Sequence, residues 1–476
     1  MKIIKKSYLI ILFIFQVFFI QAQEGTTLHF MRLNPYSMNA NPASFIPFKG
    51  YVAIPGVGNL NVTFQNTSLH YKNMFSRNKD GYPTTMTADK LVSKLSKNGN
   101  WLSSSVNEEI LGFGFRVNRS FFTFSYRLRM DEYFRFSKDV LALPILGNMN
   151  YLGEDHPADL NVRMNMNAYQ EISVGAQIEV NKRLYIGVRP KLLFGMANVR
   201  TQNASAQLYT DPESYKMKMR YNLEAEMMSI VPLFDQEGSF EPDYDYLLAH
   251  WQSGFQNVGS AIDLGVVYRI NDHFGVSAAV NDLGFITWKT GGQKITGSIS
   301  NAGDLYTNGD IVFDGLNFDE IDKLLNDPDY LNAYLKQLGD YFPVERTPLE
   351  KYTTALSSKI MVEGYYNFGK NHRVSALFQG RVVNKSFLPA FTLAYNGTFF
   401  RIIDVCVNYT MAKHNFANLG LGLGLNLGVF HLYVATDNII AAVNPLNNTN
   451  VNAQVGILFN WGKIQEKKIK EDKIME

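Results

Sequence analysis

From Leu111 onward, apolar and polar residues alternate one for one. Leu111, Phe113, Phe115 and Val117 share one face, and Gly112, Gly114 and Arg116 the other. After a tight turn at Asn118-Arg119, Phe122, Phe124, Tyr126, Leu128 and Met130 alternate with Thr123, Ser125, Arg127 and Arg129. Successive side chains of an extended strand point to opposite faces, so a period of two predicts strands with one apolar and one wet face. The next hairpin repeats the logic. Ile172, Val174, Ala176, Ile178 and Val180 alternate with Glu171, Ser173, Gly175, Gln177 and Glu179. Past Asn181-Lys182, Leu184, Ile186 and Val188 alternate with Tyr185, Gly187, Arg189 and Lys191.

Four more tight turns join alternating runs, at Asn271-Asp272, Gly369–Asn371, Phe399-Phe400 and Leu427-Gly428. The long connections, about 68–108, 137–160, 201–255 and 289–350, then lie at the opposite end, with shorter ones near 384–387, 413–417 and 438–450. Strand number must be even for both termini to share one side. An extra alternating pair at about 203–223 would put a long loop on the short-turn side. Assigning it to a hairpin beyond the wall leaves 14 strands. The long loops carry some helix: Thr87–Lys97 with a Thr cap and Gly99 past its end, Phe318–Leu325, and a second stretch after Asp327-Pro328. These read as loops packing on their neighbours, with a lid over the barrel mouth as the alternative.

Alternation alone also fits a soluble sandwich, and the N-terminus decides between them. Lys2, Lys5 and Lys6 precede an almost wholly apolar Ser7–Ile20, and Ala22 precedes polar sequence. This is the pattern of an export signal cleaved after Ala22. Its core is short of the roughly 20 apolar residues a membrane helix needs. Beyond it no stretch is apolar enough to span as a helix. The 34 Phe, 26 Tyr and 36 Gly suit aromatic girdles and tight strand packing. The expected fold is therefore all-β: a transmembrane antiparallel β-barrel of about 14 strands in the outer membrane. The expected domains are a signal peptide over 1–22, a hatch or plug over 23–50, the barrel over 51–462 and a charged, solvated periplasmic tail over 463–476.

The hatch is inferred from a conflict of properties. Asn34-Pro35 and Asn41-Pro42 argue against regular helix or strand pairing. Yet Phe30, Met31, Leu33, Phe45, Ile46 and Phe48 are too apolar for a free linker. Such a segment wants a protein interior, and the lumen is available; a strap beneath the barrel is the alternative. Arg127, Arg129, Glu171, Glu179, Arg189 and Lys191 fall on lumen faces, as a structural charge network or a selectivity ring. Asp263, Asp282 and Asp437 are read as structural. Gly420, Gly422 and Gly424 share a face and permit a plug pressed against the wall.

The remaining chemistry is sparse. The eight His stand near no recognisable nucleophile motif, and Gly-x-Ser-x-Gly, His-Glu-x-x-His, Cys-x-x-Cys and a phosphate loop are all missing. Cys406 is alone, so no intrachain disulfide forms. A net charge of +2 is too small to suggest nucleic acid. No catalytic residue, cofactor or metal site is expected.

Several blocks resemble known families. Asn41-Pro42-Ala43 resembles the hatch motif of the long-chain fatty acid transporter family of 14-stranded barrels. Ala261–Tyr268 (AIDLGVVY), Val280–Trp288 (VNDLGFITW), Leu419–Gly428 (LGLGLGLNLG), Phe430–Ile439 (FHLYVATDNI) and Val451–Trp461 (VNAQVGILFNW) together resemble an outer-membrane barrel family of Bacteroidota, domain of unknown function 5723. They also resemble the type IX secretion and gliding-motility barrels. The resemblance spans nearly the whole mature chain and implies location more than activity. Two readings follow. The first, slightly ahead, is passive uptake of a small apolar solute past a hatch in which Asn41, Pro42 and Ala43 matter. The second is a structural barrel in contact with proteins of a secretion, motility or surface-assembly complex. Outer-membrane lipid is a partner in both. A continuous apolar path with a lateral gap would favour the first; a lumen sealed by salt bridges and plug would favour the second.

Overall fold

The structure is a computed structural model. It describes residues 25–67, 75–77, 83–86, 88–97, 99–213, 217–231, 255–304, 345–383, 386–412, 415–443 and 450–464, with Lys323, Asp327, Tyr330, Glu466 and Ile469 besides. The expected signal peptide lies outside the described residues, as do the helices expected over 318–338 apart from Lys323, Asp327 and Tyr330.

The alternating runs form long antiparallel strands. In chain order they are β1 (Gly50–Ala53), β2 (Leu60–Asn66), β3 (Asn100–Val117), β4 (Ser120–Phe136), β5 (Val162–Glu179), β6 (Leu184–Thr210), β7 (Met217–Ser229), β8 (Val258–Arg269) and β9 (Phe274–Trp288). There follow β10 (Gly292–Asp304), β11 (Lys359–Phe368), β12 (His372–Val383), β13 (Ser386–Phe399), β14 (Ile403–Ala412), β15 (Asn415–Leu427), β16 (Phe430–Thr436) and β17 (Asn450–Trp461). β1 and β2 are two halves of one wall strand. Each half pairs with β3 on one side and with β17 on the other, which closes the ring. With β7 and β10 set aside, the ring is a closed antiparallel barrel of 14 strands.

Its polarity is that of a membrane barrel. Val174, Ile178, Leu264, Val276, Val362, Leu393 and Leu423 are exposed on the outer surface. Glu171, Gln177, Ser277, Gln379, Thr392 and Asn408 are buried within. An apolar outer band around a polar interior inverts the arrangement of a soluble protein. No helix among the described residues is long and apolar enough to cross a membrane.

The six expected turns are all present, with one residue of slippage at two. β13 runs through Phe399, and Phe400 and Arg401, both at positive φ, make the turn. Leu427 pairs with Phe430, so Gly428-Val429 makes the other. The pair assigned beyond the wall is indeed outside the ring. β6 pairs with β8 through Leu184–Phe194 and then continues as Ala197–Thr210, paired with β7; β10 adds to the far edge of β7. This outer sheet has a core of its own, in which Leu143, Ala158, Leu208, Met217, Met219 and Tyr221 pack together. The helix expected at Thr87–Lys97 appears as Ala88–Lys94. A further short helix, Asp139–Leu146, carries no clear periodic signal in the sequence.

The segment after Gly25 lies inside the ring. A short helix covers Thr26–Phe30, and a 3-10 turn covers Pro35–Asn39. The Asn34-Pro35 pair therefore starts a helical turn where the sequence suggested irregular chain. Proline suits the first helical position, and the Asn34 side chain accepts the Tyr36 N–H at 3.0 Å. Wall glycines admit this segment. A Cβ on Gly187 would lie 2.2 Å from the Pro42 carbonyl carbon, and one on Gly265 would lie 2.1 Å from Asn41 Oδ1. A Cβ on Gly422 would lie 2.7 Å from Met31 Sδ, so the Gly420–Gly424 face is where the inserted chain presses closest on that side. Around it Leu28, Phe30, Met31, Tyr36, Met38, Ile46 and Phe48 form the main apolar cluster with Tyr51, Phe121, Tyr433 and Leu458 of the wall.

The described part of the tail touches the short-turn end. Ile464 N–H donates to the Pro47 carbonyl at 2.9 Å, Glu466 lies 3.6 Å from the buried Arg269, and Ile469 N–H donates to Asp272 at 2.9 Å. These contacts differ from a wholly solvated extension, since Arg269 needs acidic partners where it is buried.

The topology makes a direct prediction. An epitope tag inserted at Gly369–Asn371 is expected to stay hidden from antibody on intact cells, and one in the outer connection near 384–385 is expected to be labelled. Labelling in the opposite sense would invert the barrel.

Candidate functional site

The site is built where β3–β6, β8 and β9 turn charged residues inward at one level. Alternation puts Arg127 and Arg129 on the inner face of β4, Glu171 on β5, and Arg189 and Lys191 on β6. In β3 a bulge at Ile110 shifts the register against β4, so Glu109 and Gly112 both turn inward. A second bulge lies in β9, which sets two residues, Asn281 and Asp282, against the single inward-facing Asp263 of β8. Opposite it Asp282 has φ 58, a left-handed conformation that Asp tolerates better than most residues. Its N–H donates to the Asp263 carboxylate at 2.7 Å, which holds that backbone in place.

These eight charges form one connected network. Glu109 accepts from Arg127 Nε at 3.3 Å and from Ser125 Oγ at 2.7 Å. Glu171 faces Arg129 at 3.1 Å, with Arg127 and Lys191 each 3.7 Å away. Asp282 lies 2.9 Å from Arg129 and 2.5 Å from Lys191. Asp263 lies 2.5 Å from Arg189 and 2.9 Å from Lys191. Four acids thus balance four cations. An unpaired buried charge costs several kcal/mol, and this arrangement leaves each one with an opposite neighbour.

The network also grips the inserted chain. Arg127 Nη2 and Arg189 Nη1 both donate to Asn39 Oδ1, at 2.6 and 2.8 Å, and Arg189 Nη2 donates to the Asn39 carbonyl at 3.0 Å. Asn281 Nδ2 donates to the Ala40 carbonyl at 2.7 Å. Tyr36 donates its hydroxyl to Glu109 at 2.5 Å. Burial, and next the Glu109 charge, push the Tyr36 hydroxyl well above its ordinary pKa, so it stays a donor.

The candidates named from sequence divide into three groups. Arg127, Arg129, Glu171, Arg189 and Lys191 meet in the network. Glu179 does not: it pairs in register with Tyr185, near the short-turn end. Asn41, Pro42 and Ala43 lie lower in the lumen than the network. There Asn41 Oδ1 accepts the Ala43 N–H at 2.9 Å, closing a local turn, while Pro42 packs on Gly187. Sequence reasoning missed Glu109 and Asn39, and it read Asp263 and Asp282 as structural without linking them to the basic residues. A strict period of two misplaces Glu109 and Asp282, because a bulge interrupts it at each, whereas Asp263 keeps the alternation and Asn39 lies outside any strand. The two Asp-Leu-Gly triplets, at Asp263 and Asp282, were the available signal.

Above Asn39 and Ala40, toward the long-loop end, lies a cavity of about 100 Å³. Its walls are polar: Asn, Arg and Lys side chains predominate and Leu28 is the main apolar contact. Among the described residues no group of His, Cys, Asp and Glu stands close enough to hold a metal ion.

The ring and its occupied interior define a transmembrane β-barrel of outer-membrane type with an inserted N-terminal segment. The chain belongs to a family of unknown function, DUF5723, whose model matches residues 42–437. No curated protein matches it. Among solved structures it is similar to the toluene transporter TodX of Pseudomonas putida, at 8% identity and a TM-score of 0.42, covering 93% of this chain and 98% of that one. A FadL homologue of Pseudomonas aeruginosa has 10% identity and a TM-score of 0.42, covering 94% and 100%. The toluene transporter TbuX of Ralstonia pickettii has 11% identity and a TM-score of 0.39, covering 90% and 95%. At these scores the likeness is to general barrel form, and no cargo follows from it.

The charge network makes a quantitative prediction. Lys191→Met leaves Asp263 and Asp282 short of a cation and should destabilise the detergent-solubilised barrel by about 3–5 kcal/mol. Lys191→Met combined with Asp282→Asn should cost clearly less than the sum of the two single changes. Denaturant unfolding checks this, and additivity within about 0.5 kcal/mol would contradict it.

Proposed function

We propose that this chain is an outer-membrane barrel, exported by the signal over 1–22 and closed by a hatch over 23–50, that works through contacts made on its outer side rather than as a channel for an apolar solute. The observation that carries this reading is the charge network. It lines one arc of the lumen, on β3–β6, β8 and β9, is balanced charge for charge, and is clamped to the inserted chain at Asn39. An apolar solute would have to pass Arg127, Arg129, Arg189, Lys191 and the carboxylates they hold. Removing any of those partners from its mate is costly.

A second observation supports contact as the role. β6, β7 and β10 extend the wall into a sheet beyond the ring, with its own apolar core. Strands that merely span need about 9–11 residues, and β6 has 27. The excess builds a platform on the long-loop side. The partners this reading implies are outer-membrane lipid around the wall and a protein of a secretion, motility or surface-assembly complex on the platform. The hatch residues Asn41, Pro42 and Ala43 then serve closure, as do the lumen charges.

The test pairs reconstitution with native purification. In planar bilayers the intact protein is expected to conduct no ions, and deletion of residues 25–48 is expected to open a steady conductance. Protein purified gently from native outer membrane is expected to carry a stoichiometric protein that crosslinks to residues 197–229. Saturable flux of an apolar probe such as toluene through the intact barrel in proteoliposomes would contradict this reading, as would bound lipid with no protein partner.

A further inference from the structure

The cavity above Asn39 carries more polar capacity than the protein itself uses. Gln454 is 1% exposed and lines the cavity, yet neither its Nε2 nor its Oε1 has a hydrogen-bond partner among the described residues. Three further linings show the same deficit: Asn107 Oδ1, Asn281 Oδ1 and His29 Nδ1. Leaving a buried polar group unpaired is costly, and four such groups around one space point to an occupant that satisfies them.

Charge narrows the class of occupant. Among the described residues lining the cavity are Arg127, Arg129, Arg189, Lys191, Lys359 and Arg381, against the single carboxylate of Asp282. Glu109, Glu171 and Asp263 stand behind these cations, outside the lining. Most of the cations are spent on the network. Arg127 and Arg189 use Nε and both terminal nitrogens on Glu109, Glu171, Asp263, Ser125 and Asn39. Arg129 differs. It meets both Glu171 and Asp282 through Nη1 alone, and its Nε and Nη2 have no protein acceptor among the described residues. That edge of a guanidinium presents two parallel N–H groups, the geometry that seats a carboxylate or phosphate with two bonds.

We infer that this cavity binds one small hydroxylated anion, with its acid group on the Nε–Nη2 edge of Arg129 and its hydroxyls on Gln454, Asn107 and Asn281. The unpaired carboxamide oxygens accept from hydroxyls, which a bare inorganic anion does not offer in number. The size agrees. About 100 Å³ is several times the roughly 10–15 Å³ needed to hold one water centre, so there is room for a small solute. The site is independent of the contact role proposed above, since it lies on the outer side of the closure and needs no passage through it.

Isothermal titration of the full barrel in detergent tests this, with glucuronate, glucose 6-phosphate, glucose and inorganic phosphate as probes. One saturable site per chain is expected for glucuronate or glucose 6-phosphate, with glucose and inorganic phosphate each at least about tenfold weaker. Arg129→Lys keeps a cation for Glu171 and Asp282 but removes the two-donor edge, and should weaken anion binding by on the order of tenfold or more. Gln454→Met should weaken it too, while leaving the unfolding midpoint unchanged or raised, because an unpaired amide is lost. A purely structural Gln454 would leave binding unmoved. No anion binding by the wild-type protein, equal affinity for inorganic phosphate and glucose 6-phosphate, or binding indifferent to both substitutions would overturn the inference.

Discussion

A barrel wall that turns its apolar face outward has to satisfy its interior with polar groups. The usual driving force of a soluble core is spent on the outside, against lipid. Inside a ring of 14 strands the space must be filled by groups that pair with one another or with water. This chain meets the requirement with the balanced set of Glu109, Glu171, Asp263 and Asp282 against Arg127, Arg129, Arg189 and Lys191. The rest of the lumen is organised around that set.

The inserted segment is the other half of the same solution. Its apolar residues pack in the lower lumen, where Met31, Ile46 and Phe48 meet Tyr51, Phe121 and Leu458. Its polar crest, Tyr36 to Ala40, reaches the charge network. Asn39 alone accepts three hydrogen bonds from Arg127 and Arg189. Glycines in the wall make this possible where backbone meets backbone, above all Gly187 beneath Pro42. Sequence, strand packing and closure are thus linked: a side chain at Gly187 would push the crest away from the arginines that hold it. The same tight pairing explains why Arg129, with two nitrogens left over, stands out among the basic residues.

Much of the wall was legible from the chain. Period-two alternation located the six turns to within a residue, and parity removed the hairpin that the structure places in the outer sheet. The long runs around Phe122 and Val174 were readable because every second residue faces lipid without exception. What failed was finer. Two bulges, at Ile110 and at Asn281-Asp282, shift the inward set by one residue, so Glu109 and Asp282 were hidden and Asp263, though on the alternating face, was left without its partners. Glu179 sits on the correct face but at another height, since alternation fixes the face and says nothing of depth. Asn34-Pro35 looked like a break in structure and instead starts a helical turn, because a proline ring fits the first position of a helix. The Asp139–Leu146 helix, with Pro144 within it, offered no amphipathic stripe to read.

The central claim is that the inserted segment is held by the charge network as firmly as a wall strand. Hydrogen exchange measured by mass spectrometry on the intact barrel tests it most directly. The account predicts that amides from Thr27 to Ala43 exchange as slowly as those of the wall strands, and that their protection falls when Arg189 is replaced by Met while the wall stays protected. Rapid exchange of the segment in the unaltered protein, with the wall intact, would contradict it.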